Sequence, residues 1–188
     1  MAARYREIYK NQIRKELFEE GGFENMMCVP VFKKIVLNMG VGESTTSKTA
    51  IEESVEILQQ ISGQKPIVTK AHKAISAFKI REGWEVGVAV TLRGDKMWEF
   101  YDKLINVVFP RTKDFHGLSL KAFDGSGNYS IGIREHMVFP EIDPNKVQKI
   151  RSLQATIVTS ARNDDEAKRL LTKLGFPFVK DVNTSAGK

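Results

Sequence analysis

Hydrophobic and polar positions change period several times along this chain, and each change marks an element. In residues 3–20, Tyr5, Ile8, Tyr9, Ile13 and Leu17 recur at helical spacing, and Gly21-Gly22 stops the run. KKIVLNM, residues 33–39, is rich in β-formers and is broken by Gly40 and Gly42, which predicts a strand. A second helix is predicted over 48–62, with Ile51, Val55, Leu58 and Ile61 inward and Gly63 as its stop. Residues 66–70 read as a short strand. EVGVAVTLRG, residues 85–94, gives the clearest alternation: Val86, Val88, Val90 and Leu92 share one face, and Glu85, Gly87, Ala89, Thr91 and Arg93 the other. A third helix, about 95–108, carries Met97, Tyr101, Leu104 and Val108 on one stripe, and Pro110 is expected to end it. Residues 111–130 are rich in turn signals around FDGSGN. Two more strands fall near 128–134 and 153–160. The last helix is expected to start at Asn163, with Glu166 three residues on as in a capping box, and to stop at Gly175.

Four helices and about five strands, with no internal repeat, predict an α+β fold: one mostly antiparallel sheet with helices on one face. The strands in PIVTK and EVGVAVTLR are joined by an extended loop without a helix, which suggests an antiparallel pair. The large apolar face of EVGVAVTLR takes the helices, leaving its small and polar face open. That face either meets water, as is common for antiparallel sheets, or admits a foreign backbone close to its small residues. Residues 1–180 are expected to form a single domain, with 181–188 a loose tail.

Composition narrows the classes. The 188 residues are 41% hydrophobic and 28% charged, ordinary for a globular protein. No apolar run approaches the length of a membrane span. The first residues lack an apolar signal core and include Glu7, Glu16, Glu19 and Glu20, so neither a secretory signal nor a transit peptide is expected. The single cysteine, Cys28, cannot form an internal disulfide, which fits a reducing cytoplasm.

The net charge is +6, and it is unevenly spread. Residues 1–63 hold 8 basic and 9 acidic side chains, residues 64–135 hold 12 and 8, and residues 136–188 hold 9 and 6. From Lys65 to Arg81 there are five Lys or Arg residues and no acid. A local basic surface suggests a polyanionic partner, although a soluble protein can also simply be basic.

Enzymatic motifs are weak. GESTTSKT, residues 42–49, resembles the phosphate-binding G-x-x-x-x-G-K-[ST] loop between a strand and a helix. Ser47 stands where the second glycine belongs, Glu43 puts a carboxylate in the cradle, and no later strand offers an aspartate for magnesium. A polar loop whose Ser or Thr caps the second helix is the better reading. His72, His116, His136 and Cys28 lack ligand spacing, so no metal or other cofactor is expected, and each histidine reads as a surface or RNA-facing position. FDGSGN lacks the further acids of a calcium loop and reads as a turn.

Nucleic-acid chemistry remains. Lys65, Lys70, Lys73, Lys79, Arg81 and Arg93 can neutralise phosphates. Asn38, Gln64 and Thr91 add neutral hydrogen-bonding groups on expected sheet positions. Phe78 either stacks on a nucleotide or pins the loop to the body, and Trp84 either stacks or packs in the core.

KIVLNMGVGE (34–43), GQKPIVTKA (63–71), AFKIREG (77–83), VTLRG (90–94), FDGSGNYSIGI (123–133) and FPEID (139–143) together resemble the bacterial large-subunit ribosomal protein five family, which binds 5S ribosomal RNA. The resemblance runs from about Tyr9 to Phe178, and the last two motifs look like its bacterial branch. It implies a sheet with helices on its convex side and an open concave face that grips 5S RNA. The 5S-binding positions it implies are Asn38, Gln64 and Thr91, and the basic Lys65 and Arg93 beside them are expected to join them through phosphate contacts. It further implies that the long basic loop, residues 70–84, reaches the elbow of peptidyl-site transfer RNA through Lys70, His72, Lys73, Phe78, Lys79 and Arg81. Large-subunit ribosomal RNA and a protein of the small-subunit head, joined in an intersubunit bridge, are further implied partners. A membrane is not among them. The chain departs from the family pattern at His72, His116 and Ser126, where arginine is common, and at Ala77, where glycine is frequent. The first three put phosphate contacts there in doubt. A nucleotide hydrolase built on residues 42–49 and an RNA chaperone or translational repressor on a similar sheet are the rival readings.

Overall fold

The structure is a computed structural model that describes residues 3–42, 49–113, 115–147 and 149–179. The first helix, α1, runs as Arg4–Ile8, a π turn at Tyr9–Ile13, and Arg14–Gly21. Strand β1 (Phe32–Gly40) is followed by α2 (Thr49–Ser62), β2 (Ile67–Lys70) and β3 (Glu85–Leu92). Helix α3 comprises Gly94–Lys103, a π turn at Leu104–Val108 and a last turn at Phe109–Arg111. Strands β4 (Tyr129–Ile133) and β5 (Leu153–Thr159) precede α4 (Asp164–Lys173).

The five strands form one sheet in the order β2-β3-β1-β5-β4, and every pairing is antiparallel. Strand β1 is central. Its Ile35, Leu37 and Met39 lie opposite Leu92, Val90 and Val88 of β3, and all six are fully or almost fully buried. Ile157 and Ala155 of β5, and Tyr129, Ile131 and Ile133 of β4, continue the buried face. Helix α2 packs against β2 and β3, α3 against β1, and α1 against α3. Aromatic rings join these layers. Trp98 of α3 stacks on Phe32 of β1 at 5.0 Å and on Tyr9 of α1 at 5.6 Å between centroids.

Several elements differ from the sequence reading. Pro110 does not end α3, which continues through Arg111. The π turn widens the helix just before Pro110, where an ordinary α turn would meet the proline ring and lack its N–H. The capping box at Asn163 does not form. Asn163 makes no side-chain cap, and Glu166 accepts a hydrogen bond from the Arg162 N–H at 2.9 Å. The first turn of α4 is committed elsewhere: the Asp164 carboxylate accepts from the Gly125 and Gly127 N–H groups at 3.1 and 2.9 Å. Asp124 completes this turn, accepting from the Ser126 and Asn128 N–H groups at 2.9 and 3.0 Å. The hydrogen bonds from Asn128 and Ser126 hold the Asp124 carboxyl below its usual range. His136 is buried rather than surface-facing, because its Nδ1 accepts from the Arg151 N–H at 3.1 Å, inside the protein. Residues 43–48, and with them most of the phosphate-loop-like stretch, lie outside the described residues, as does the expected tail at 181–188.

Candidate nucleic-acid interface

The face of the sheet turned away from the helices follows from strand register. In β1 it presents Lys34, Val36, Asn38 and Gly40. Opposite them on β3 stand Thr91, Ala89 and Gly87, and on β5 stand Val158, Thr156 and Gln154. Ser130 and Gly132 extend the face onto β4, and Ile67 and Thr69 onto β2. No aromatic side chain stands on any of these positions; Lys34, Val36, Val158 and Ile67 lie toward its margins, and around Asn38 the face carries only amides, hydroxyls and small residues. Ser130 and Thr156 face each other across the β4–β5 pair with their hydroxyl oxygens 3.1 Å apart. Gln154, Thr156 and Ser130 are members of this face that the sequence reading did not single out. Their signal was present in the period-2 alternation of YSIGI and LQATIVT.

The sequence-predicted 5S-binding residues separate into two places. Asn38 stands mid-sheet, opposite Ala89 on one side and Gln154 on the other. Thr91, opposite Val36, is its diagonal neighbour on the same face. Gln64 is not on a strand. It follows α2, and its Nε2 donates to the Thr91 carbonyl at 3.4 Å, which brings it to the edge of the face. Lys65 is exposed beside it. Arg93 lies one residue beyond β3, as the exposed residue that leads into α3, rather than on the strand face. Lys96 fastens this corner by donating to the Gly63 carbonyl at 3.1 Å. Gln64, Lys65, Thr91 and Arg93 therefore gather at one end of the sheet.

The basic loop projects from the opposite end, between β2 and β3. It is a folded hairpin extension. The Ala71 N–H donates to the Trp84 carbonyl at 2.8 Å, and the Gly83 N–H to the Ala71 carbonyl at 2.9 Å. Ile75 and Ile80 exchange backbone hydrogen bonds of 2.9 and 3.1 Å. A 3₁₀ turn at Ser76–Phe78 closes the tip, and Lys79 follows it in the left-handed region at φ 53°. A side chain rarely adopts that conformation without local support, here the Lys79 N–H bond to the Ser76 carbonyl at 3.0 Å. Ala77 has an ordinary negative φ within the turn, so a glycine is not needed there.

Phe78 does not anchor the loop to the body: at 70% exposure it is the open apolar tip. Trp84 is not core either. It is 37% exposed at the base of the loop, with the Arg81 guanidinium 5.9 Å from its ring centroid. His72, Lys73, Lys79 and Arg81 are all exposed on the loop. Lys70 ends β2 opposite Glu85, after a bulge.

A helix-backed antiparallel sheet with a low polar face, a basic corner at one end and a basic hairpin at the other is the build of an RNA-binding protein. Comparison with known proteins gives the same class and narrows it. Residues 25–81 match the family model described as Ribosomal protein L5, and residues 85–178 match the model of the same family's C-terminus. The chain is 54% identical over 178 residues to the large ribosomal subunit protein uL5 of an Anaeromyxobacter species, covering 95% of this chain and 99% of that one. It is 52% identical to uL5 of Limosilactobacillus reuteri, over 96% and 100% of the two chains. It is 49% identical to uL5 of a Marinomonas species, over 95% and 99%. The chain belongs to the ribosomal protein L5 family. It is a structural protein of the large ribosomal subunit, placed in the cytoplasmic ribosome, and the family is not one of enzymes. The two family models meet inside the basic loop, yet β1 and β2 from the first and β3, β4 and β5 from the second build a single sheet.

Proposed function

We propose that the open sheet face grips a folded loop of 5S ribosomal RNA and so helps attach that RNA to the large subunit. Asn38, Thr91 and Gln64 supply hydrogen bonds fitted to the RNA's shape, while Lys65 and Arg93 neutralise phosphates at the sheet corner. The carrying observation is the open face itself, with Asn38 and Thr91 diagonal neighbours on it and Gln64 bonded to the Thr91 backbone. The hairpin at residues 70–84 is a separate arm. Its exposed Phe78 and the cations Lys70, His72 (when protonated), Lys73, Lys79 and Arg81 suit a second RNA, the peptidyl-site transfer RNA. The same subunit position brings contacts to large-subunit ribosomal RNA and to a protein of the small-subunit head in an intersubunit bridge. Membership of the family and the separation of the two basic regions support this reading.

The test is a titration of purified protein against 5S RNA and a length-matched control RNA at two salt concentrations. A preference for 5S RNA that persists at higher salt is expected. Equal binding to both that collapses with salt would leave only a basic surface.

A further inference from the structure

Between β1, β5 and β4 the open face sinks into a hollow of about 310 Å³, lined by Asn38, Gly40, Ser130, Gly132, Ser152 and Gln154 among others. Asn38 and Gln154 are direct cross-strand partners on its wall. Neither side-chain amide has a hydrogen-bonding partner within the described protein, so each offers a free donor and a free acceptor. The floor is made low by glycines, and the three glycines of this face have different reasons to be there. At Gly87 a Cβ would sit 2.8 Å from the Met39 carbonyl oxygen, so the sheet itself requires glycine. At Gly40 and Gly132 a Cβ would meet nothing within 4 Å, and neither residue has a positive φ. Glycine inside a strand weakens it, and at these two positions neither sterics nor backbone conformation of this chain calls for it.

From the paired amides and the space kept clear beside them, we propose that this hollow receives a single unpaired nucleobase turned out of the bound RNA. Amide side chains match the adjacent donor and acceptor on the edge of adenine, so adenine is the base assigned. Ser130 and Ser152 flank the base, and the bare backbone at Gly40 and Gly132 lets its ring lie close to the sheet. This rests on the 5S-binding reading of the same face and adds what the face reads.

The experiment uses the full chain, 5S RNA and the variants Gly40→Ala, Gly132→Ala and Gln154→Ala. Because the added methyl groups meet open space, Gly40→Ala and Gly132→Ala should fold and melt at or above the wild-type temperature. Each of the three variants should lower 5S affinity at least tenfold at fixed salt, with the slope of log affinity against log salt unchanged, since no phosphate contact is removed. Among 5S transcripts in which each unpaired adenosine is replaced in turn by uridine, one should lose as much affinity as Gly132→Ala. Combined with Gly132→Ala, that transcript should lose little more. Wild-type preference for 5S RNA together with wild-type affinity in both glycine variants overturns the hollow alone. So does a loss accompanied by a changed salt slope. Absence of any 5S preference in the wild type overturns the 5S reading and the hollow with it.

Discussion

The two faces of the central sheet are built from alternate residues of the same strands, yet one packs against the helices of the chain and the other is left open. On β1, Ile35, Leu37 and Met39 are wholly buried against the helices, while Val36, Asn38 and Gly40 look outward. The helix-side residues are large and apolar, and their identity is set by packing within the chain. The outward residues are small or polar, and folding alone does not explain Asn38 or Gly40. One strand therefore separates what makes the fold from what uses it, at a spacing of one residue.

The largest effect should come from the inner face. Leu37→Ala should cost about 2–5 kcal/mol of stability, as a buried large-to-small change does, measured by denaturant unfolding, while the folded fraction keeps its 5S affinity. Its neighbour Asn38→Ala should change stability by no more than about 0.5 kcal/mol and lower 5S affinity instead. If Asn38→Ala unfolded the protein as Leu37→Ala does, the division between faces would be wrong. Gly87→Ala is an outward position that should behave like an inward one. Its methyl group meets the Met39 carbonyl, and a loss of about 1–3 kcal/mol is expected from overpacking.

Smaller effects sharpen the contrast between sheet and arm. Lys73→Ala and Lys79→Ala should weaken transfer-RNA contact in assembled ribosomes and leave 5S binding unchanged. Each should lower the salt slope of the transfer-RNA interaction by about 1. Loss of 5S binding in these variants would merge the two sites. The smallest effect concerns acid. The folded-state pKa of Asp124 is depressed, so its stabilising contribution is complete above the ordinary aspartate value of about 3.9 and is lost as pH falls below that, through the lower folded value. Asp124→Asn should flatten this part of the acid-unfolding curve and leave the curve near neutral pH little changed in slope.

Most of the architecture was legible because its periodicities are clean. The alternation of EVGVAVTLR predicted both faces of β3, and the stripe Met97, Tyr101, Leu104 and Val108 is buried as expected. Strand β5 was harder to orient. Its inward face contains Ala155 and Thr159, and its outward face contains Val158, so hydropathy alone does not say which side is which. Pairing with β1 decides it, and that pairing is not local in sequence. The Asp164 contacts that replace a capping box depend on a turn almost forty residues earlier in the chain, which no window around α4 contains. His136 differs from its expected surface position for a similar reason: it pairs with the backbone of Arg151, fifteen residues on, through both its own N–H and its ring, and no periodic signal marks that contact.

The strand order has a consequence for the chain as it is synthesised. Strands β1, β2 and β3 are made first and can pair with one another, but the other edge of β1 stays open until β5 arrives, more than a hundred residues after β1. A pairing this distant is slow to form, and an open edge is a site for association with other chains. The wall formed by Asn38 and Gln154 exists only once that edge is closed. A nascent or truncated chain that ends before Leu153 thus carries the basic arm but not the complete face, and the growing polypeptide acquires the two parts proposed to meet RNA at different moments of its own translation.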